Sequence, residues 1–398
     1  MKLSQEQITH MMSTMTPSER KSWVQADAYK RWIANQYRGT LEMATGTGKT
    51  RIAVMAVAKE LESNPDATIY ISVPTETLRD VDWPDEFKLW GYEHLLPKVN
   101  IICHVSMAKV KEEEIDLFVW DENHKATPSN AALFSNIKVY KVLGLTATLP
   151  TVKKFGNAEE KLNIINELCP SIYKVTLEQG ISLGLIADFE VKVMMFDLDK
   201  TDMYIKGGTK ARPIMTTEAA RYAYLTKMLQ KCMYNPKLEG AKFAQIQKRT
   251  ALIRNLKSKE KLAKKIMKLI ITPENRTLIF CGSIEQSKEL CGENIFNSET
   301  DITYLSKFQS KEINYCGVVD ALNEGKNIQE LDQSLVVQLN SNERTIIQRI
   351  GRNVRYRQGH KALIVVLVAR NTCDEKWYKS AFENFDKSRI TEYYVKVD

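Results

Sequence analysis

The stretch Leu41–Thr50, LEMATGTGKT, governs the reading of the whole chain. A short apolar run enters a glycine-containing turn, and the turn opens into a segment headed by Lys49 and Thr50. That is the layout of a strand, a phosphate-holding loop and a helix N-terminus. Within the loop Thr45, Gly46, Thr47 and Gly48, the two glycines let backbone N–H groups approach phosphate oxygens with no Cβ in the way. The helix end adds the positive end of its dipole. Lys49 would reach the β- and γ-phosphates, and the Thr50 hydroxyl would take a place on Mg²⁺. The general pattern has a glycine where this chain has Met43, so the loop alone also fits an ordinary turn.

Downstream, Ile115–His124 reads IDLFVWDENH. A continuous apolar run ending abruptly in two carboxylates is a buried parallel strand whose C-terminal end faces a ligand crevice. Asp121 would hold the metal through water, and Glu122 would polarise an attacking water as general base. The competing reading, a solvated acidic turn after a core strand, loses ground because a phosphate loop precedes it in the expected order.

Composition limits the alternatives. The 398 residues suffice for two or three domains, and 43% of them are hydrophobic, an ordinary globular share. No run approaches the ~18 apolar residues of a membrane span, so a soluble protein without a membrane partner is expected. The N-terminal MKLSQEQITHMMSTMTPSER lacks the basic-then-apolar layout of a secretory signal and reads as a leading helix. Seven cysteines are scattered without a CxxC pair, which implies reduced core thiols and a cytoplasmic setting. The five histidines do not cluster with them, which argues against zinc.

The net charge of +8 points to a polyanionic partner. Cations crowd between Lys237 and Lys268, where only Glu239 and Glu260 oppose them. Leu252, Ile253, Leu256, Leu262, Ile266, Leu269 and Ile270 recur there at mostly helical spacing. One or two amphipathic helices with a basic outer face follow, over about 237–271, either solvated or set against a phosphate backbone.

Two series of apolar strand candidates flank a glycine-bearing break at Gly180–Asp188. The first comprises Ala67–Pro74, Val99–Val105, Ile115–Glu122 and Lys138–Thr148; the second Arg276–Ser283, Tyr315–Val319, Ser334–Asn340 and Ala362–Ala369. Helical stretches such as Arg51–Ser63 alternate with them, which predicts α/β architecture: two domains, 1–183 and 184–398, each a mostly parallel sheet covered by helices. Only the first carries a phosphate loop. The second carries QRIGRNVR, Gln348–Arg355, in which Gln348, Arg352 and Arg355 share one helical face. Two guanidiniums projecting together suit a polyphosphate.

Taken in order, ATGTGKT, VPT (Val73–Thr75), DENH, TAT (Thr146–Thr148), LIFCGS (Leu278–Ser283), LNEGKN (Leu322–Asn327) and QRIGRNVR resemble motifs I to VI of the superfamily 2 helicases. The chain is most similar to the compact DNA translocases of that superfamily, phage branch-migration helicases and the motor subunits of type I and type III restriction enzymes among them. The resemblance implies two RecA-like domains, ATP and Mg²⁺ held between them, and a nucleic-acid strand across both. It implies phosphate and metal contacts from Gly46, Gly48, Lys49 and Thr50, hydrolysis at Asp121 and Glu122, and arginine fingers at Arg352 and Arg355. Gln25 would read adenine through its amide. Thr146 and Thr148 would couple the nucleotide site to the strand path, and Pro74, Thr75, Arg79, Gly282 and Ser283 would touch backbone phosphates. Lys257, Lys261, Lys264 and Lys268 are further candidates for that contact. In motif V, Val319 precedes Asp320 where the family often has Thr, and Asn327 follows Gly325 where it often has Asp. Gly325 and Asn327 remain candidate nucleotide contacts, the latter by hydrogen bonding. DENH departs from DEAD and so from the RNA-specific DEAD-box group.

The function expected from this is a monomeric ATP-dependent helicase or translocase on nucleic acid, DNA rather than RNA. The alternatives are an RNA helicase and a nucleotide-gated clamp or motor subunit serving a partner nuclease without unwinding. No nuclease constellation is visible in the sequence.

Overall fold

The computed structural model describes residues 4–150, 157–208, 212–296, 303–319, 331–339, 361–383 and 385–397. These fall into two compact units, one up to Ala187 and the other from Asp188 onward.

In the first unit β1 (Arg38–Met43), β2 (Ile69–Val73), β3 (Val99–Cys103), β4 (Glu114–Asp121), β5 (Lys138–Thr146) and β6 (Ser171–Val175) form a six-stranded sheet in the order β3-β2-β4-β5-β1-β6. Every pairing is parallel. Its inner strands are apolar on both faces because helices cover both; Leu41, Ile71, Val119 and Leu143 are fully buried. One of these helices, Pro17–Ala34, starts at a Thr16–Glu19 capping box and is pinned to the sheet by Trp32 Nε1, which donates to the Val142 carbonyl at 2.9 Å. Since all strands run the same way, the residues after β1, β2, β4 and β5 emerge along one edge of the sheet. LEMATGTGKT, VPT, DENH and TAT thus share that edge, where ligands of open α/β sheets bind.

In the second unit β7 (Asp188–Phe196), β10 (Thr277–Phe280), β11 (Ile295–Phe296), β12 (Tyr315–Val318), β13 (Gln333–Val336), β14 (Lys361–Ala369) and β15 (Ile390–Tyr394) form a sheet of seven described strands, in the order β11-β12-β10-β13-β14-β7-β15. It too is parallel throughout. A separate antiparallel pair, β8 (Ile205–Gly208) with β9 (Pro213–Thr216), precedes three helices, Glu218–Tyr234, Glu239–Arg254 and Lys257–Ile270. The α/β architecture of two helix-covered parallel sheets is therefore present.

The basic stretch occupies the last two of those helices. Lys257, Lys261, Lys265 and Lys268 face outward on Lys257–Ile270, while Leu262, Ala263, Ile266 and Met267 enter the core. Lys259 departs from the expected basic outer face. It is fully buried, and its Nζ donates to Asp374 Oδ2 at 2.7 Å and to Gln338 Oε1 at 3.1 Å. A buried ammonium needs such a pair because desolvation would otherwise expel it.

Candidate nucleotide site at the edge of the first sheet

The phosphate loop is built on two residues in the left-handed region, Gly46 at φ 92° and Gly48 at φ 90°. Gly48 is also sterically required, since a Cβ there would run into the Gln25 amide. It stands at the start of the helix Lys49–Ser63, which has no side-chain cap, so its first N–H groups are left for a ligand. Thr47 is buried and its Oγ1 donates to the Ala44 carbonyl at 2.7 Å, closing the turn. Thr45 and Thr50 are half-buried beside it. Lys49 Nζ donates to the Met43 carbonyl at 2.9 Å, so the position lacking the usual glycine anchors the lysine through its backbone. Burial lowers the Lys49 pKa against the upward pull of Glu122 and Asp121.

Gln25 lies under the loop, only 1% exposed. Its Nε2 donates to the Thr47 carbonyl at 3.1 Å and its Oε1 accepts from Arg51 at 2.9 Å. The amide expected to face adenine is thus turned to the loop and to Arg51, whose guanidinium lies 4.3 Å over the Trp90 ring.

β4 delivers the two carboxylates. Asp121, 8% exposed, accepts from Trp83 Nε1 at 3.1 Å through Oδ2 and from the Glu122 amide at 3.0 Å through Oδ1. Burial, with Glu122 beside it, pushes the Asp121 carboxyl up to about 7. Glu122 adopts a left-handed backbone, φ 47°, that costs a non-glycine residue energy and turns the chain out of the strand. Burial would raise its pKa too, but His124, Lys49 and Lys125 outweigh that and hold it at about 2. The His124 Nδ1 stands 3.0 Å from Glu122 Oε2 and 3.0 Å from Thr146 Oγ1. Thr146 Oγ1 in turn donates to the Thr148 carbonyl at 3.1 Å. The ends of β4 and β5 are thereby joined by side chains.

The remaining candidates are placed as follows. Thr75 is exposed at the end of β2, and its Oγ1 accepts from the Leu78 amide at 3.4 Å; Pro74 is half-buried before it. Arg79 is already engaged as a fork on Asp80, with Nε to Oδ1 at 2.6 Å and a terminal nitrogen to Oδ2 at 2.8 Å. In the second unit Ser283 caps the helix Ile284–Cys291 by accepting from Gln286 N at 3.2 Å, and Gly282 packs against Gln338. Among the outer lysines, Lys257 sits 4.4 Å over the Tyr204 ring, Lys261 pairs with Asp202 at 3.4 Å, and Lys264 bonds Glu260 and Glu289. Lys268 is exposed. Gly325, Asn327, Gln348, Arg352 and Arg355 lie outside the described residues.

Three contributors escaped the sequence reading. Trp83 comes from DVDWPDEF, where nothing in the spacing points to Asp121. Arg51, next to Thr50, carried no pattern of its own. His124 stood within the DENH motif, and its adjacency to two carboxylates was the available signal.

Residues 20–102, which include the phosphate loop, match the family model described as type III restriction enzyme, res subunit. The DNA 3'-5' translocase XPB2 of Sulfurisphaera tokodaii is 22% identical over 393 residues, 88% of this chain and 82% of the relative. Dicer-like protein 2-1 of Aspergillus niger is 29% identical over 168 residues, 32% of this chain but 12% of that protein. Among solved structures, the DNA-bound type ISP restriction-modification enzyme LlaBIII superposes with a TM-score of 0.58 at 17% identity, over 94% of this chain and 31% of that one. The S. cerevisiae protein Dbp5, bound to RNA and ADP BeF3, gives 0.57 at 13% identity, over 100% of this chain and 94% of its own. At these identities the structural likeness is one of fold. In fold across both sheets, and in sequence around the Leu41–Thr50 loop, the chain is thus similar to superfamily 2 helicases, while it spans 12% of the Dicer-like relative and 31% of the restriction-modification enzyme.

Proposed function

We propose that this protein is an ATP-hydrolysing motor that translocates on nucleic acid, and on DNA in preference to RNA. The observation that carries the reading is the placement of Lys49 and the Asp121–Glu122 pair at one edge of one parallel sheet, with the His124 ring 3.0 Å from Glu122. Glu122, held low, is ionised at neutral pH and suited to accept a proton from an attacking water. Asp121, raised by desolvation, is a buried acid that a divalent cation would return to the carboxylate form.

The oxygen donors Asp121 and Thr50 fit Mg²⁺, which takes one or two protein oxygens and completes its shell with water and phosphates. When bound, the ion would neutralise charge on the phosphates. The chain's own part is to seat the β- and γ-phosphates on the loop amides and Lys49, and to keep Glu122 ionised through His124. Arg352 and Arg355 are proposed as the guanidiniums that act on the γ-phosphate. Thr146, bonded to His124, is proposed to pass the state of the carboxylate site to the end of β5.

DNA is favoured because XPB2, named a DNA translocase, aligns over most of both chains. The test is ATP turnover without nucleic acid and with single-stranded DNA, duplex DNA, forked DNA and RNA. Stimulation by DNA above RNA is expected. Stimulation by RNA alone would reassign the substrate, and no turnover with any of them would refute the motor.

A further inference from the structure

The helices Glu218–Tyr234 and Glu239–Arg254 form an antiparallel hairpin whose two ends differ sharply. Its root is fixed. Glu218, fully buried, accepts from Tyr204 OH at 2.5 Å and Ser258 N at 3.0 Å through Oε1, and from Ser258 Oγ at 2.6 Å and Asp199 N at 3.0 Å through Oε2. Tyr222 OH accepts from the Cys373 amide at 2.7 Å, and Ile253 is fully buried in the core. Its tip is the opposite: Met233 is 60%, Tyr234 86% and Phe243 69% exposed.

Aromatic surface held out in water at the end of a rigidly rooted arm marks a contact surface. Its charge says with what. Lys231, Lys237 and Lys242 are exposed around these aromatics, and among the described residues none of the three takes part in an ion pair. Glu239 is the one acidic residue between Lys231 and Lys242. Exposed cations continue along the second helix at Lys248 and Arg254, and on to Lys257, Lys261 and Lys268. Cations interleaved with exposed aromatic rings are what an unpaired nucleic-acid strand requires, the rings stacking on bases and the ammoniums meeting phosphates.

We infer that the hairpin tip is a separate contact for single-stranded nucleic acid, with Tyr234 and Phe243 stacking on unpaired bases and Lys231, Lys237 and Lys242 on the flanking phosphates. This rests on the nucleic-acid reading above and adds a specific element to it: selectivity for unpaired bases at a site distant in sequence from every helicase motif.

The experiment compares the full-length parent with Tyr234→Ser/Phe243→Ser in binding to a single-stranded oligonucleotide and to a blunt duplex, without nucleotide. Both changes are at exposed positions, so the fold is preserved, and far-UV circular dichroism checks it. Single-strand affinity should fall about 5-fold or more for each stacked base lost, while duplex affinity and ATPase without nucleic acid hold. Lys231→Gln/Lys237→Gln/Lys242→Gln should flatten the salt dependence of single-strand binding by up to about 2 in log–log slope. If the parent binds and the aromatic variant binds single strands equally well, the inference fails while the motor reading stands. If the parent binds no nucleic acid, the motor reading fails and takes the inference with it. Loss of self-association, or of sedimentation with phosphatidylserine vesicles, at unchanged single-strand affinity would make the tip a protein or lipid contact and overturn the inference.

Discussion

The His124 ring stands 3.0 Å from the Glu122 carboxylate and shares the same nitrogen with Thr146. Glu122 is half-buried, and desolvation alone would push it toward protonation; His124 is the first of the groups that reverse the effect. The ring therefore bears on the charge of the proposed base and on its connection to β5.

His124→Ala should raise the Glu122 pKa, since burial remains and the main opposing group is gone. In the parent, a carboxyl at about 2 contributes no acid limb to ATP turnover near neutrality. In the variant such a limb should move up toward neutral pH, with turnover recovering as pH rises. A pH–rate profile for both proteins checks this, and superimposable acid limbs would remove His124 from the role.

A second histidine bears on stability. His104 is buried with Nδ1 2.8 Å from Ser72 Oγ, and burial first, then the Lys125 charge, lowers its pKa from 6.5 to about 4. The folded state thus favours the neutral ring. Its stabilising contribution is complete above 6.5 and is lost as pH falls through the window down to about 4. That window corresponds to roughly 3 kcal/mol. Denaturant unfolding of the parent and His104→Asn over this range should show a flatter decline in the variant; parallel declines would show that the ring titrates normally.

The buried Lys259–Asp374 pair predicts an asymmetry. Lys259→Met leaves Asp374 buried without its cation and should destabilise by about 3–5 kcal/mol, whereas Lys259→Met/Asp374→Leu should recover most of the loss. Chemical denaturation of both variants decides it. A double variant as unstable as the single one would mean the pair contributes more than mutual neutralisation.

For the outer lysines, Lys257→Gln/Lys261→Gln/Lys264→Gln/Lys268→Gln should weaken binding to every DNA sequence alike. If all four met phosphates, the salt slope would flatten by up to about 3. Lys264 already bonds Glu260 and Glu289, and Lys261 bonds Asp202, so a smaller change is expected. Affinity across a salt series measures it, and coincident lines for parent and variant would show a face that is only solvated.

Much of the first sheet was legible because its inner strands are unbroken apolar runs that end at chemical motifs. IDLFVWDENH shows both the strand and the site it delivers. β7 was not, although it lies between β14 and β15 inside the second sheet. Its DFEVKVMMF alternates in polarity and comes soon after Gly180 and Gly184, which draw attention to a break instead. β6 and β15 are short, mixed in character and stand at sheet edges, where burial leaves a weak pattern. At the site, the backbone role of Gly48 was readable from residue type alone. The engagement of Gln25 by Thr47 and Arg51, the Trp83 bond to Asp121 and the burial of Lys259 each join residues far apart in sequence, and no local spacing encodes them.

Glu122 and Lys49 carry the proposed hydrolysis most directly. ATP binding and turnover, with and without DNA, should be measured side by side for the parent, Glu122→Gln and Lys49→Ala. Glu122→Gln preserves shape while removing the base, so it should bind ATP and hardly turn it over; Lys49→Ala should lose tight nucleotide binding. Turnover by Glu122→Gln at close to the parent rate would contradict the account.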